Sequence, residues 1–266
     1  MPFENRSWLL VLGTMLFTLT IGCADLSGGE AGVTLPDNPS KEIFDRPGNV
    51  PERAELMGIG GVVEEHPKAF KKVLYILDGG SLRVPLKQAE KELSGDFTLE
   101  TWLRFEHDGN QVIMSATAFR MVLEGTRLFA ELGDQRFSGP TIALHEWYHV
   151  ALIVEGNQVR LHVNGAQQDR QFLPDGWARP SRVLVLGHRE GNPRSFMGQA
   201  ENLRMVGSAV YNEVNFNPSD SFIPVDWTVF RYDFDEELPG GIVVDVGGKG
   251  IDAELAGHAG LASLDL

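Results

Sequence analysis

The sequence holds one cysteine, Cys23, in 266 residues, so no disulfide can close within the chain. Long apolar runs are missing too: the run over residues 8–21 falls short of the roughly 17–25 residues that cross a bilayer, which excludes a permanent transmembrane helix there. Bases are scarce. Lys and Arg number 23 against 37 Asp and Glu, for a net charge of −14, and such a surface repels nucleic acid and anionic lipid headgroups. Helical periodicity is the last thing lacking, since no segment beyond residue 73 repeats its apolar positions every 3.6 residues. What is present is ample for a sizeable core in one domain.

The amino terminus has the order of a secretory signal: a polar stretch with Arg6, the apolar run, then Gly22 and Cys23. Leu19-Thr20-Ile21-Gly22-Cys23 resembles the bacterial lipobox, although Thr20 stands where that motif prefers leucine. The resemblance implies cleavage before Cys23 and acylation of its thiol and new amino group, hence a membrane-anchored lipoprotein of the bacterial cell envelope. The alternative is an ordinary signal peptide that leaves a free or buried thiol, but a lone exposed thiol in an oxidising compartment is a liability, and lipidation accounts for it better. Several acyl chains at about 0.8 kcal/mol per buried methylene hold far more firmly than one. Removing residues 1–22 takes away one acid, Glu4, and one base, Arg6, so the charge of the remainder is unchanged. Residues 23–60 are rich in Gly, Pro, Ser and charge and read as a flexible tether.

From residue 73 short apolar or alternating runs follow one another, at 73–77, 97–105, 111–116, 119–123, 127–132, 147–154, 159–163, 183–186 and 199–206, with Gly, Asn and Asp between them. That spacing predicts an all-β antiparallel sandwich or barrel. In residues 97–105, Phe97, Leu99, Leu103 and Phe105 share one face and Trp102 takes the other, where a loop can cover it. Residues 147–163 read as a hairpin ending at the Asn164-Gly165 turn, with Val159, Leu161 and Val163 on one side and Arg160 and His162 on the other.

Five pieces in order resemble the concanavalin A-like, laminin G-like jelly-roll family. They are Leu77-Asp78-Gly79-Gly80 with Val84-Pro85; Asp96-Phe97-Thr98-Leu99-Glu100-Thr101-Trp102; Trp147-Tyr148-His149-Val150-Ala151 with Val163-Asn164-Gly165; Leu186-Gly187; and Phe196-Met197-Gly198 with Leu203-Arg204. The resemblance covers residues 73–211 and implies two curved antiparallel sheets, with the motif aromatics and aliphatics in the core. It departs from the family where the usual Ile-Asp-Glu becomes Ala200-Glu201-Asn202. In the tail, Tyr232-Asp233-Phe234-Asp235-Glu236 and the stretch from Asp245 to Leu255 resemble the segment with which such domains begin. Either a second domain is truncated there, or residues 228–266 return to the same jelly roll as a permuted first-strand segment; a unit of about forty residues without disulfides buries too little core, which favours the return and one domain over 61–266.

His145-Glu146-Trp147-Tyr148-His149 matches H-E-x-x-H, which on a helix sets two zinc-binding imidazoles one turn apart with a glutamate as base. On a strand the same positions lie about 13 Å apart, too far for one zinc. The β-rich residues 150–154 favour the strand, with Trp147 and His149 structural, while residues 142–146 can also be drawn as a short helix, which keeps a zinc metallopeptidase as the alternative. The two-carboxylate arrangement of related glycoside hydrolases is not found. Asp235, Asp245 and Asp252 around the turn at 247–250 are candidate calcium ligands, the alternative being that they only cap tight turns. The sequence thus points to a non-catalytic, lipid-anchored module whose partner is a glycan or an envelope protein. Trp177, His188, Arg189 and Arg194 are candidate loop contacts.

Overall fold

A computed structural model of the chain describes residues 72–89, 93, 95–188 and 195–263. Among them there is no α-helix. The strands are β1 (Lys72–Ile76), β2 (Ser81–Pro85), β3 (Phe97–Phe105), β4 (Gln111–Ala116), β5 (Phe119–Glu124), β6 (Arg127–Leu132), β7 (Gln135–Thr141), β8 (Trp147–Glu155) and β9 (Gln158–Val163). They continue with β10 (Ala166–Phe172), β11 (Val183–Gly187), β12 (Gly198–Val206), β13 (Thr228–Tyr232), β14 (Glu237–Leu238), β15 (Ile242–Val243), β16 (Ala253–Ala256) and β17 (Ala259–Ser263).

Two antiparallel sheets form the jelly-roll sandwich. One has the order β10-β9-β8-β3-β12-β1-β17, with β13 also on β12; the other runs β14-β15-β16-β2-β11-β4-β5-β6-β7. The core follows from the period-2 alternation. Phe97, Leu99, Leu103 and Phe105 of β3, Val150, Leu152 and Val154 of β8 and Leu203 and Met205 of β12 lie within one buried cluster with Met114, Met121, Leu123, Ala130 and Leu186 of the other sheet. Each large side chain so buried contributes roughly 1.5–3 kcal/mol.

Two glycines of the sequence motifs are explained by close approach. A Cβ on Gly198 would sit 2.2 Å from the carbonyl oxygen of Arg104 on the neighbouring strand. Gly165 has φ +74°, and a Cβ there would meet the Phe216 carbonyl oxygen at 1.8 Å. The tail is woven into both sheets: β13 pairs with β12, β16 with β2 and β17 with β1. β1 and β13 flank different halves of β12, and between those halves the β12–β3 register slips after Glu201, where Asn202 takes φ +49°.

Candidate functional site

The two sheets differ in what lies on their outer faces. On the eight-stranded sheet, alternation sends Thr98, Glu100 and Trp102 of β3, His149 of β8, Arg160 and His162 of β9 and Arg204 of β12 outward, yet all are buried. Residues 207–227 are the cover. Trp102 Nε1 donates to the Ser219 carbonyl at 3.1 Å, Asn202 Nδ2 to Asp220 at 2.7 Å and Arg204 Nη1 to Ile223 at 2.7 Å. The Phe216 ring, stacked on Tyr211 at 3.7 Å, lies edge-on to His149, and Phe222 packs with Trp102 and Val73.

Glu100 is the hub beneath that cover. Arg204 Nε donates to its Oε1 at 2.8 Å, and Arg204 Nη2 bonds the same oxygen; His149 Nε2 lies 3.0 Å from Oε2, and the Tyr211 hydroxyl donates to Oε2 at 2.8 Å. Burial alone would push the Glu100 carboxyl up. The hydrogen bond and charge of His149, and then Arg204, outweigh it and hold the group below the ordinary carboxylate range. His162, beside this group, is pushed down to about 4, first by burial and then by Arg160.

The zinc reading required a helix, and residues 145–149 form none. His145 stands on a turn at φ +66° and Trp147 begins β8. His145 Nδ1 lies 2.9 Å from Glu106, whereas His149 is held by Glu100, six residues away on β3 and its extension, or about 20 Å along an extended chain. The motif is structural here, because each imidazole already has its own carboxylate.

Of the three calcium candidates, Asp245 and Asp252 share the tail turn. Asp245 Oδ1 accepts the N–H groups of Arg231 at 3.0 Å and Gly247 at 2.7 Å, and Oδ2 those of Lys249 at 3.2 Å and Ile251 at 3.0 Å. Asp252 Oδ1 accepts the Asp245 N–H at 2.9 Å. These carboxylates organise the turn by accepting N–H donors, and Asp235 is not gathered with them: among the described residues no three acidic, His or Cys side chains form a metal-holding group. Cys23, Arg189 and Arg194 lie outside the described residues. Trp177 is partly buried against the core under the guanidinium of Arg179, 4.2 Å from its ring, and anchors its loop. His188 Nδ1 is 2.7 Å from the Ser195 hydroxyl.

One group escaped notice in the sequence. Glu201, at the register slip in β12, is buried and accepts the Asn202 N–H; burial, with Asp233 and Asp235 adding to it, pushes its carboxyl up to about 9. Only its place in the departure from the family pattern marked it beforehand.

The outer face of the nine-stranded sheet carries exposed side chains, Arg83 and Glu254 among them. A cleft of about 640 Å³ lies on it, lined by Arg83 and Pro85 of β2, Val183 and Val185 of β11, Ile242 of β15, Asp252, and Ala253 and Glu254 of β16. Strand register builds it: Glu254 stands opposite Arg83, and Arg83 opposite Val185. Arg83 and Glu254 are exposed cross-strand partners, yet neither forms an ion pair with a described residue. The cleft therefore offers guanidinium donors and carboxylate acceptors above an apolar floor, a combination suited to a ligand that both donates and accepts hydrogen bonds.

A family model described as the concanavalin A-like lectin/glucanases superfamily matches residues 78–213. Among solved structures, a Bacteroides ovatus protein described as a candidate carbohydrate binding protein aligns at 18% identity and TM-score 0.59, over 74% of this chain and 61% of its own. A heptameric SAP-like pentraxin from Limulus polyphemus aligns at 16% identity and TM-score 0.38, over 56% and 74%. A Trypanosoma rangeli sialidase in complex with sialic acid does so at 17% and 0.40, over 46% and 22%. This chain spans about three fifths of the Bacteroides protein, and the likeness is one of fold. No curated protein matches it in sequence.

Proposed function

From the premise that this chain belongs to the concanavalin A-like lectin/glucanases superfamily, we propose that it binds a glycan in the cleft of the nine-stranded sheet and does not cut it. The observation that carries the reading is the pair Arg83 and Glu254, exposed and facing each other across β2 and β16 with no ion pair to a described residue, over Val183 and Val185. Sugar hydroxyls donate to a carboxylate and accept from a guanidinium at once, and the apolar floor takes the C–H face of a ring. Binding without hydrolysis is supported by position. Glu100, Glu201 and His162, the acids and imidazole whose ionisation the fold shifts, line the other sheet, away from the cleft.

Signal-like residues 1–22, Cys23 and residues 23–60 complete the proposal: a lipid anchor and a tether present the sandwich on the extracytoplasmic side of a bacterial envelope membrane. A glycan array probed with the purified chain, followed by calorimetry, tests the cleft. Binding that Arg83→Ala and Glu254→Ala each weaken by about tenfold or more agrees with it. Silence on the array, or full binding by both variants, contradicts it. Metabolic labelling with a fatty acid, lost in Cys23→Ser, tests the anchor.

A further inference from the structure

The cover of the eight-stranded sheet has an outward side of its own, and it is greasy. Ile223, Pro224, Val225, Asp226 and Trp227 are five successive exposed residues, with Ile223 at 73%, Val225 at 43% and Trp227 at 64% exposure. Loops that expose such side chains are ordinarily mobile; this one is clamped. Arg204 Nη1 donates to the Ile223 carbonyl at 2.7 Å and Arg231 Nη1 to that of Phe222. Val225 N–H donates to Thr228 Oγ1 at 2.9 Å, Thr228 N–H to the Val225 carbonyl at 2.9 Å, and Gly207 N–H to that of Trp227 at 2.8 Å. Phe222, buried beneath, pins the loop to Trp102. A rigid display of Ile, Val and Trp has lost little entropy still to lose on binding, the property of a preorganised contact surface.

Chemistry selects the occupant. Ile223, Pro224 and Val225 offer a hydroxyl-rich glycan no side-chain hydrogen bonds. Residues 207–227 contain no Lys or Arg but carry Glu213, Asp220 and Asp226, all exposed, in a chain of net charge −14. Anionic lipid headgroups and a second copy of this chain are therefore both repelled. We propose that residues 223–227 are the docking surface for a protein partner whose apolar contact region is rimmed by Lys and Arg. The site is separate from the glycan cleft and stands or falls independently of it.

Panning the full chain against a displayed library of random dodecapeptides tests the assignment. Enriched peptides are expected to join aromatic or aliphatic residues to flanking Lys or Arg. Their binding is expected to fall roughly thirtyfold with Trp227→Ser or Ile223→Ser, both on exposed side chains, while the melting temperature holds. Asp226→Lys and added salt are expected to weaken it as well. Failure to enrich, enrichment of acidic peptides, or binders indifferent to all three substitutions would overturn the proposal. So would self-association in sedimentation, or binding to phosphatidylcholine vesicles, that the same substitutions abolish.

Discussion

The two outer faces of this sandwich are built from the same alternation and put to opposite uses. On the eight-stranded sheet, Glu100, His149 and Arg204 point outward and are roofed by residues 207–227; on the nine-stranded sheet, Arg83 and Glu254 point outward into a cleft. A charge under a roof must be matched at once by the protein, because removing it from water costs several kcal/mol per ion. A charge in an open cleft stays hydrated and can exchange water for a ligand. Open charges with no ion pair to a described residue, against charges paired under cover, are therefore what separate a binding face from a holding face.

That contrast can be broken by substitution. The largest effect is expected from Glu100→Ala, which strands Arg204 and His149 in a buried site and lowers unfolding free energy by about 3–5 kcal/mol in urea titration. Next comes Glu201→Gln, read as stability against pH. The unfolded carboxyl titrates near the ordinary 4.5 and the folded one near 9, so between those values only the unfolded chain gives up its proton. Its contribution is fully present below the unfolded value and is lost as pH rises towards 9, by up to about 1.4 kcal/mol per pH unit. The Gln variant is expected to be flatter over that window and more stable than the parent at pH 8.

Asp245→Ala leaves four N–H groups of the tail turn seeking water and is expected to cost about 1–3 kcal/mol, equally with calcium or with a chelator in the melt. Stability that rises with calcium in the parent and not in the variant would favour the metal reading. The smallest stability effect is expected for Arg83→Ala, within about 0.5 kcal/mol, because the side chain is exposed and forms no ion pair with a described residue. A large destabilisation there would erase the distinction between the faces.

Much of the framework was legible because strong alternation leaves little choice of face. β3, β4 and β6 lie where their apolar periods predicted, and Trp102 is roofed by a loop. β7 and β10 were not legible: Gln135-Arg136-Phe137-Ser138-Gly139 and Gln167-Gln168-Asp169-Arg170-Gln171 are polar sheet-border strands with no apolar row to betray them. The hub was out of reach for another reason. Glu100 and Arg204 are separated by 104 positions, and only the β3–β12 register brings them together. The cleft shares that difficulty, since β2 and β16 carry its charged pair and were read as motif fragments rather than strands. H-E-x-x-H shows the converse, a pattern present in full whose local backbone denies it its chemistry.

Backbone amide shifts followed during titration with a glycan selected on the array test the central claim most directly. Perturbations confined to β2, β11, β15 and β16, and absent in Arg83→Ala, are the predicted result. Shifts centred on β3, β8 and β9 beneath residues 207–227 would contradict it, by making the roofed face the one that binds.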